Sequence, residues 1–134
     1  MDAAELSPSD RELIETAKRT ADRLHLDNAH EVAAAVRTRS GEVFSGINHK
    51  ARMRFADVCG EVAALSVMVG AGRRDPEAIV AMWGDGNGTY DLMPPCGRCR
   101  ELISDFDPET WVIVGTLQPP YKVKVCELLP LKAW

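Results

Sequence analysis

Apolar residues return along the first part of the chain at a helical interval and then switch to short uninterrupted runs. Ile14, Ala17, Ala21 and Leu24 fall three or four residues apart, which predicts an amphipathic helix ending before Asp27-Asn28. Ser7 is placed to cap it, Pro8 suits its first turn, and Asp10 complements its positive end. Val32 to Thr38 and Val43 to Ile47 are apolar runs on either side of Ser40-Gly41, the pattern of a β-hairpin. Val62 to Val69 is apolar on every side and predicts a second helix buried between layers, capped by Asp57 and ended by Gly70. Ala78 to Trp83 and Trp111 to Val114 read as buried strands, and Tyr121 to Val125 alternates like an edge strand. Gly84 to Gly88 is a turn. A third helix starts at Cys96 and Cys99 and runs through Leu102, Ile103 and Phe106.

Hairpin, helix, strand, helix, strand predicts an α/β fold, a three-layer α/β/α sandwich with a mixed five-stranded sheet. A chain of 134 residues with 46% hydrophobic content is expected to form one domain over residues 1–134. Such a chain buries about two thirds of its unfolded surface. The opening Met1-Asp2-Ala3-Ala4-Glu5 is acidic and has no apolar run, so no secretory signal is expected. No stretch approaches the roughly 20 apolar residues of a membrane span. The expected location is cytoplasmic, with reduced thiols. A net charge of −4 argues against a nucleic-acid partner and for a small-molecule substrate.

Two short stretches carry candidate chemistry. Cys59-Gly60-Glu61 sets a thiol two residues before a carboxylate, and Pro95-Cys96-Gly97-Arg98-Cys99 holds a thiol pair with a cation between them. If Cys59, Cys96 and Cys99 bind Zn²⁺ as thiolates, the fourth tetrahedral position stays open, as in catalytic zinc sites. Glu61 then stands beside it as the base. Both stretches lie at predicted helix starts, where backbone N–H groups favour a thiolate, and Cys96 and Cys99 share one helical face. Two other readings compete. C-x-x-C at a helix start is also a redox motif, although that leaves Cys59 and Glu61 without a task. Cys126 could complete a structural Cys₄ site, although its place after an alternating strand suits a small core residue.

The pattern C-x-E followed by P-C-x-x-C resembles the zinc deaminase signature H-x-E…P-C-x-x-C, with cysteine in place of histidine. The chain resembles the cytidine deaminase family, and Pro-Cys-Gly-Arg-Cys-Arg is similar to the motif of blasticidin S deaminases. Asn48 after the hairpin and Glu127-Leu128-Leu129-Pro130 near Trp134 extend the resemblance over nearly the whole chain. It implies a zinc-dependent aminohydrolase of an aminopyrimidine, in which zinc lowers the pKa of bound water from about 15.7 to about 7. It also implies that Glu61 carries the proton from water to the ring nitrogen and then to the departing amine. The Gly60 N–H would hold the pyrimidine carbonyl, the Pro94 carbonyl would receive the amine, His30 would stack on the base and Asn48 would bind a ribose hydroxyl. His30 reads equally as a polar residue at a strand entrance.

Three thiolates leave the zinc site with a net negative charge. Members with such a site often carry an arginine directly after the glutamate, where this chain has Val62. The compensating task is expected to fall to Arg98 or Arg100. A solvated Arg98 is the alternative. Nucleoside-specific members carry Asn-x-Glu after the hairpin, and here Asn48-His49-Lys50 replaces that carboxylate with a cation. Lys50, Arg52 and Arg54 therefore suggest a substrate bearing an anionic group, or else a solvated or intersubunit basic loop. The resemblance further implies a homotetramer, with Trp134 close to the active site.

Overall fold

The computed structural model describes residues 2–134; Met1, where the acidic N-terminal stretch begins, lies outside them. Helix α1 (Pro8–Leu24) starts at the predicted cap: the Asp10 N–H donates to the Ser7 hydroxyl at 3.2 Å and the Ser7 N–H donates to the Asp10 carboxylate at 2.9 Å. Ile14, Ala17 and Ala21 are buried, whereas Leu24, expected on the same stripe, is exposed at the last helical residue. Strands β1 (Val32–Thr38) and β2 (Val43–Ile47) form the hairpin, and α2 (Gly60–Gly70) follows. Then come β3 (Pro76–Gly84), β4 (Tyr90–Met93), α3 (Gly97–Phe106), β5 (Trp111–Gly115) and β6 (Pro120–Lys124). A 3-10 turn at Val125–Leu128 closes the series.

The strands make one mixed sheet in the order β2-β1-β3-β5-β6, with β4 also paired to β3. Six strands replace the expected five. The additional strand, β4, escapes the hydrophobic pattern because Leu92 is its one buried residue. One edge of β3 is divided between two partners: Ala78 and Ile79 pair in parallel with β5, while Ala81 to Gly84 pair antiparallel with β4. The chain leaves β4 beside this division, and Cys96 arises there.

Alternation along the strands sorts side chains to two faces. Ala34, Val36, Ile79, Ala81, Val112 and Val114 pack with Ala64, Leu65 and Met68 of α2 and with Cys99 and Ile103 of α3. Ala35, Val80, Met82 and Ile113 pack with Leu13, Ile14 and Ala17 of α1 on the other face. The result is the expected α/β/α sandwich. Each fully buried leucine, such as Leu13 or Leu65, contributes about 2 kcal/mol relative to exposure.

Helix α2 differs from its expectation in two ways. Its N-cap is Cys59, and the Asp57 carboxylate instead accepts the Ala51 N–H at 2.6 Å. Its outer side is uncovered, with Val67 and Val69 exposed, because no further layer of this chain lies beyond it. The inner side sits close to the sheet: a Cβ added at Gly46 would stand 2.7 Å from the backbone of Ala63 and Ala64. Glycine is what lets β2 and α2 approach that far.

Asp10 does more than cap α1. It is fully buried and accepts hydrogen bonds from Arg37 at 2.8 Å and Lys122 at 2.7 Å, and Arg37 also pairs with Glu77 at 2.8 Å. Burial alone would raise the Asp10 pKa. Hydrogen bonds from Lys122, the Ser7 N–H and Arg37 outweigh it and hold the carboxyl at about 2, below its ordinary 3.8. The folded value lies below the unfolded one, so this stabilisation, about 2 kcal/mol, is present above about pH 4 and is lost as pH falls through about 2. Asp10→Asn is expected to cost about 3 kcal/mol in urea unfolding at pH 7, because Arg37 and Lys122 lose their shared anion. The same variant is expected to lose less stability than wild type between pH 4 and pH 2.

Candidate metal and active site

Two helix N-termini bring the thiols together. Cys59 is the N-cap of α2, Cys96 is the N-cap of α3, and Cys99 lies in the first turn of α3. Their sulfur atoms all lie within 4.8 Å of one another, with Cys59 Sγ 3.5 Å from Cys96 Sγ. Tetrahedral Zn–S bonds of about 2.3 Å set sulfur atoms about 3.8 Å apart, so the donor set fits zinc. Among the described residues this is the one such cluster. Cys126 is exposed in the turn after β6 and takes no part in it, which removes the Cys₄ alternative. That exposure also corrects its reading as a core residue.

Burial pushes Cys99 up, and Glu61, Cys59 and Cys96 push it further. Burial would raise Cys96 too, but the Cys99 N–H and its neighbouring thiols outweigh it and lower it. Thiolates set this close together repel, and a divalent metal among the sulfurs would offset that repulsion.

Glu61 follows two residues after Cys59, in the first turn of α2, and is 6% exposed. Ile79, Ala81, Met93, Pro95 and Ile103 surround it, and this burial raises its carboxyl above the usual range. Its open side borders a cavity of about 210 Å³ that Cys59, Cys96, Gly60, Asn48, Lys50 and Pro94 also line. The predicted ligands, base and substrate contacts therefore meet at one place, with three exceptions. Cys99 lies buried beneath the cavity. Arg98 and His30 also do not line it.

Arg98 stands outside the cavity wall, where its Nη2 donates to Cys59 Sγ at 3.3 Å and to the Asp57 carbonyl at 2.9 Å. It supplies positive charge at a ligand sulfur and ties α3 to the segment before α2. Arg100 turns away and donates to the Pro95 carbonyl. Asn48 is buried, and its Oδ1 accepts the Glu31 and Val32 N–H groups at 2.7 and 2.9 Å. The amide nitrogen of Asn48 is left to donate into the cavity.

His30 holds a supporting place. Its Nδ1 is 2.7 Å from the Asn48 carbonyl oxygen, and its ring meets His49 edge-on with centroids 5.1 Å apart. His49 itself lines the cavity, as do Asp57 and Met93. The sequence signals missed these three. Met93 belongs to the unrecognised strand β4, and His49 and Asp57 are drawn in by the backbone bridge between His49 and Val58. Lys50 borders the cavity with its ammonium 2.7 Å from Glu31, while Arg52 and Arg54 are exposed and do not line it. Trp134 lies on α3 instead, its indole N–H donating to Glu101 at 3.2 Å, and does not border the cavity of its own chain.

Comparison with known proteins matches this geometry. Residues 7–115 match the family described as cytidine and deoxycytidylate deaminase zinc-binding region. The chain is 37% identical over 131 residues to the blasticidin-S deaminase of Bacillus cereus, covering 95% of this chain and 94% of that protein. It is 34% identical over 102 residues to the cytidine deaminase of Halalkalibacterium halodurans, covering 75% and 74%. The solved cytidine deaminase of Burkholderia pseudomallei superposes with a TM-score of 0.78 at 26% identity, covering 96% of this chain and 100% of that one. That of Mycobacterium leprae shares the fold with a TM-score of 0.75 at 23% identity, over 90% and 96%.

The chain thus belongs to the cytidine and deoxycytidylate deaminase family. It is a zinc-dependent deaminase with Cys59, Cys96 and Cys99 available to the metal. One zinc per chain is expected by elemental analysis. Chelation is expected to release it and stop ammonia production. Cys96→Ala is expected to abolish stoichiometric zinc, whereas Cys126→Ser is expected to retain it.

Proposed function

We propose that this deaminase hydrolyses the exocyclic amine of a cytosine-type ring in a nucleoside or nucleoside-like molecule, releasing ammonia. The observation that carries the reading is the convergence of Glu61, the Gly60 backbone, Pro94 and Asn48 on one cavity beside the thiol cluster. Bound zinc supplies a water acidified towards neutral pH. The chain's own groups do the rest. Glu61 takes one proton from the attacking water as the water oxygen bonds the ring carbon and delivers it to the ring nitrogen, then passes the second proton of that water to the amine as the C–N bond breaks and ammonia leaves. Its buried, raised carboxyl suits a group that must both accept and return protons near neutrality. The Gly60 N–H holds the pyrimidine carbonyl at the positive end of α2, and the Pro94 carbonyl accepts from the leaving amine. Arg98 balances the thiolates from outside. Asn48 donates to a hydroxyl on the sugar side, with His30 bracing the Asn48 carbonyl and edge-packed on His49. His30 reaches a base only through a change in that packing.

A blasticidin S-type substrate is the second reading, and identity over nearly the whole chain to a blasticidin-S deaminase favours it. On the sugar side the substrate meets Lys50, already paired with Glu31, together with Asp57 and His49. A substrate carboxylate there shares Lys50 with Glu31, and Asp57 suits a cationic group. This combination suits a substrate bearing charges of both signs better than a lone anion. The proposed location is cytoplasmic, where free thiols persist for metal binding. No helix among the described residues is long and apolar enough to cross a membrane. Exposed Met53, Phe55, Val67 and Trp134 support the proposed homotetramer, which sedimentation tests.

Ammonia release by the zinc-loaded protein is to be measured with cytidine, deoxycytidine, cytidine monophosphate, cytosine and blasticidin S. Turnover of at least one cytosine compound is expected, and turnover of none overturns the proposed ring. Glu61→Gln is expected to keep zinc and lose at least about 100-fold in kcat. Near-normal turnover by that variant would remove Glu61 from its role.

A further inference from the structure

The stretch from Pro94 to Cys96, between β4 and α3, brings a metal ligand to the site without regular structure of its own. Neither proline has an N–H, so this stretch is held to the body of the protein by its carbonyls and by packing. The Pro95 carbonyl accepts from Arg100 Nε at 2.9 Å, and the same guanidinium reaches the Leu128 carbonyl through Nη1 at 3.5 Å. Arg100 also follows ligand Cys99 directly, and its backbone N–H closes the first turn of α3 on the Cys96 carbonyl at 2.9 Å.

The far end of this link is fixed. Val125 is fully buried, its N–H donates to the Thr110 carbonyl at 2.8 Å, and the Cys126 N–H donates to the Pro108 carbonyl at 3.1 Å. Beyond the turn, the Lys132 ammonium returns to α3, donating to Ser104 at 2.7 Å and Asp105 at 2.6 Å. The C-terminal turn is therefore anchored to the body of the protein on both sides, and Arg100 connects it to the ligand loop.

We infer that Arg100 is a positioning residue: it holds the Pro95 carbonyl against the Val125–Leu128 turn and so sets Cys96 for zinc and Pro94 for substrate. This rests on the reading of Cys59, Cys96 and Cys99 as zinc ligands. Arg100 touches neither sulfur nor cavity and acts through the loop it holds. Its task differs from that of Arg98, which meets a ligand sulfur. Freeing the loop leaves Cys96 to find its position on each metal-binding event, at a cost in affinity.

The full-length wild type, Arg100→Met and Arg100→Lys are titrated with zinc against a chromophoric chelator, and kinetics are then recorded with zinc saturating. Methionine keeps an aliphatic stem and removes every donor, while lysine keeps a cation and one donor group. Zinc affinity is expected to fall by about 10- to 100-fold in Arg100→Met, as for other groups that orient metal ligands, and by less in Arg100→Lys. With zinc saturating, kcat is expected to recover while KM stays raised, because Pro94 lines the cavity. Unchanged zinc affinity in Arg100→Met, or equal losses in the two variants, would overturn the assignment. The wild-type titration tests the zinc site itself, so failure of that reading is distinguishable from failure of this one.

Discussion

Three sulfurs within 4.8 Å of one another, with a buried carboxyl beside them, would repel if ionised together. The fold answers with positive ends. Helices α2 and α3 begin at this one point and turn the partial positive charge of their first turns towards it. Arg98 adds a full charge at Cys59. A metal ion held by Cys59, Cys96 and Cys99 would offset the charge that remains.

Holding two helix starts at one point places demands on the sheet beneath. α2 descends close enough to β2 that Gly46 has no room for a side chain. α3 is fed from β4, which takes one end of a β3 edge whose other end belongs to β5. That divided edge is why the ligand loop emerges at the middle of the sheet and not at its rim. The opposite face carries α1, where the charges of Asp10, Arg37, Glu77 and Lys122 join α1, β1, β3 and β6. Such a cluster adds little net stability by comparison with an apolar core, but removing Asp10 takes from Lys122 and Arg37 the buried anion they share.

The charge on the cavity wall follows the same logic of pairing. Lys50 reads alone as a free cation, yet Glu31 sits 2.7 Å from it. Arg54, in the same loop, lies 3.9 Å from Asp57. Two of the loop's three cations thus have a carboxylate nearby in space, and Arg52 faces solvent.

Much of the chemistry could be read along the chain because it depends on short spacings. Cys59 and Glu61 two apart, Cys96 and Cys99 three apart, and Ser7 three before Asp10 are local relations that hold in whatever fold contains them. The apolar runs of β1, β3 and β5 were equally legible, since both faces of those strands are covered. Strand β4 was not, because it buries Leu92 alone and takes its identity from pairing with β3. Nor could spacing separate Arg98 from Arg100. Each flanks Cys99, but one reaches back to Cys59 and the other to Pro95 and Leu128. The sequence by itself determined the three thiols, the carboxylate two residues after the first of them, the capped first helix and the α/β class. Only the tertiary structure decided which arginine meets sulfur, that Lys50 is paired and that Asp10 is the centre of a buried cluster, because those partners lie far apart along the chain and meet only when the layers pack.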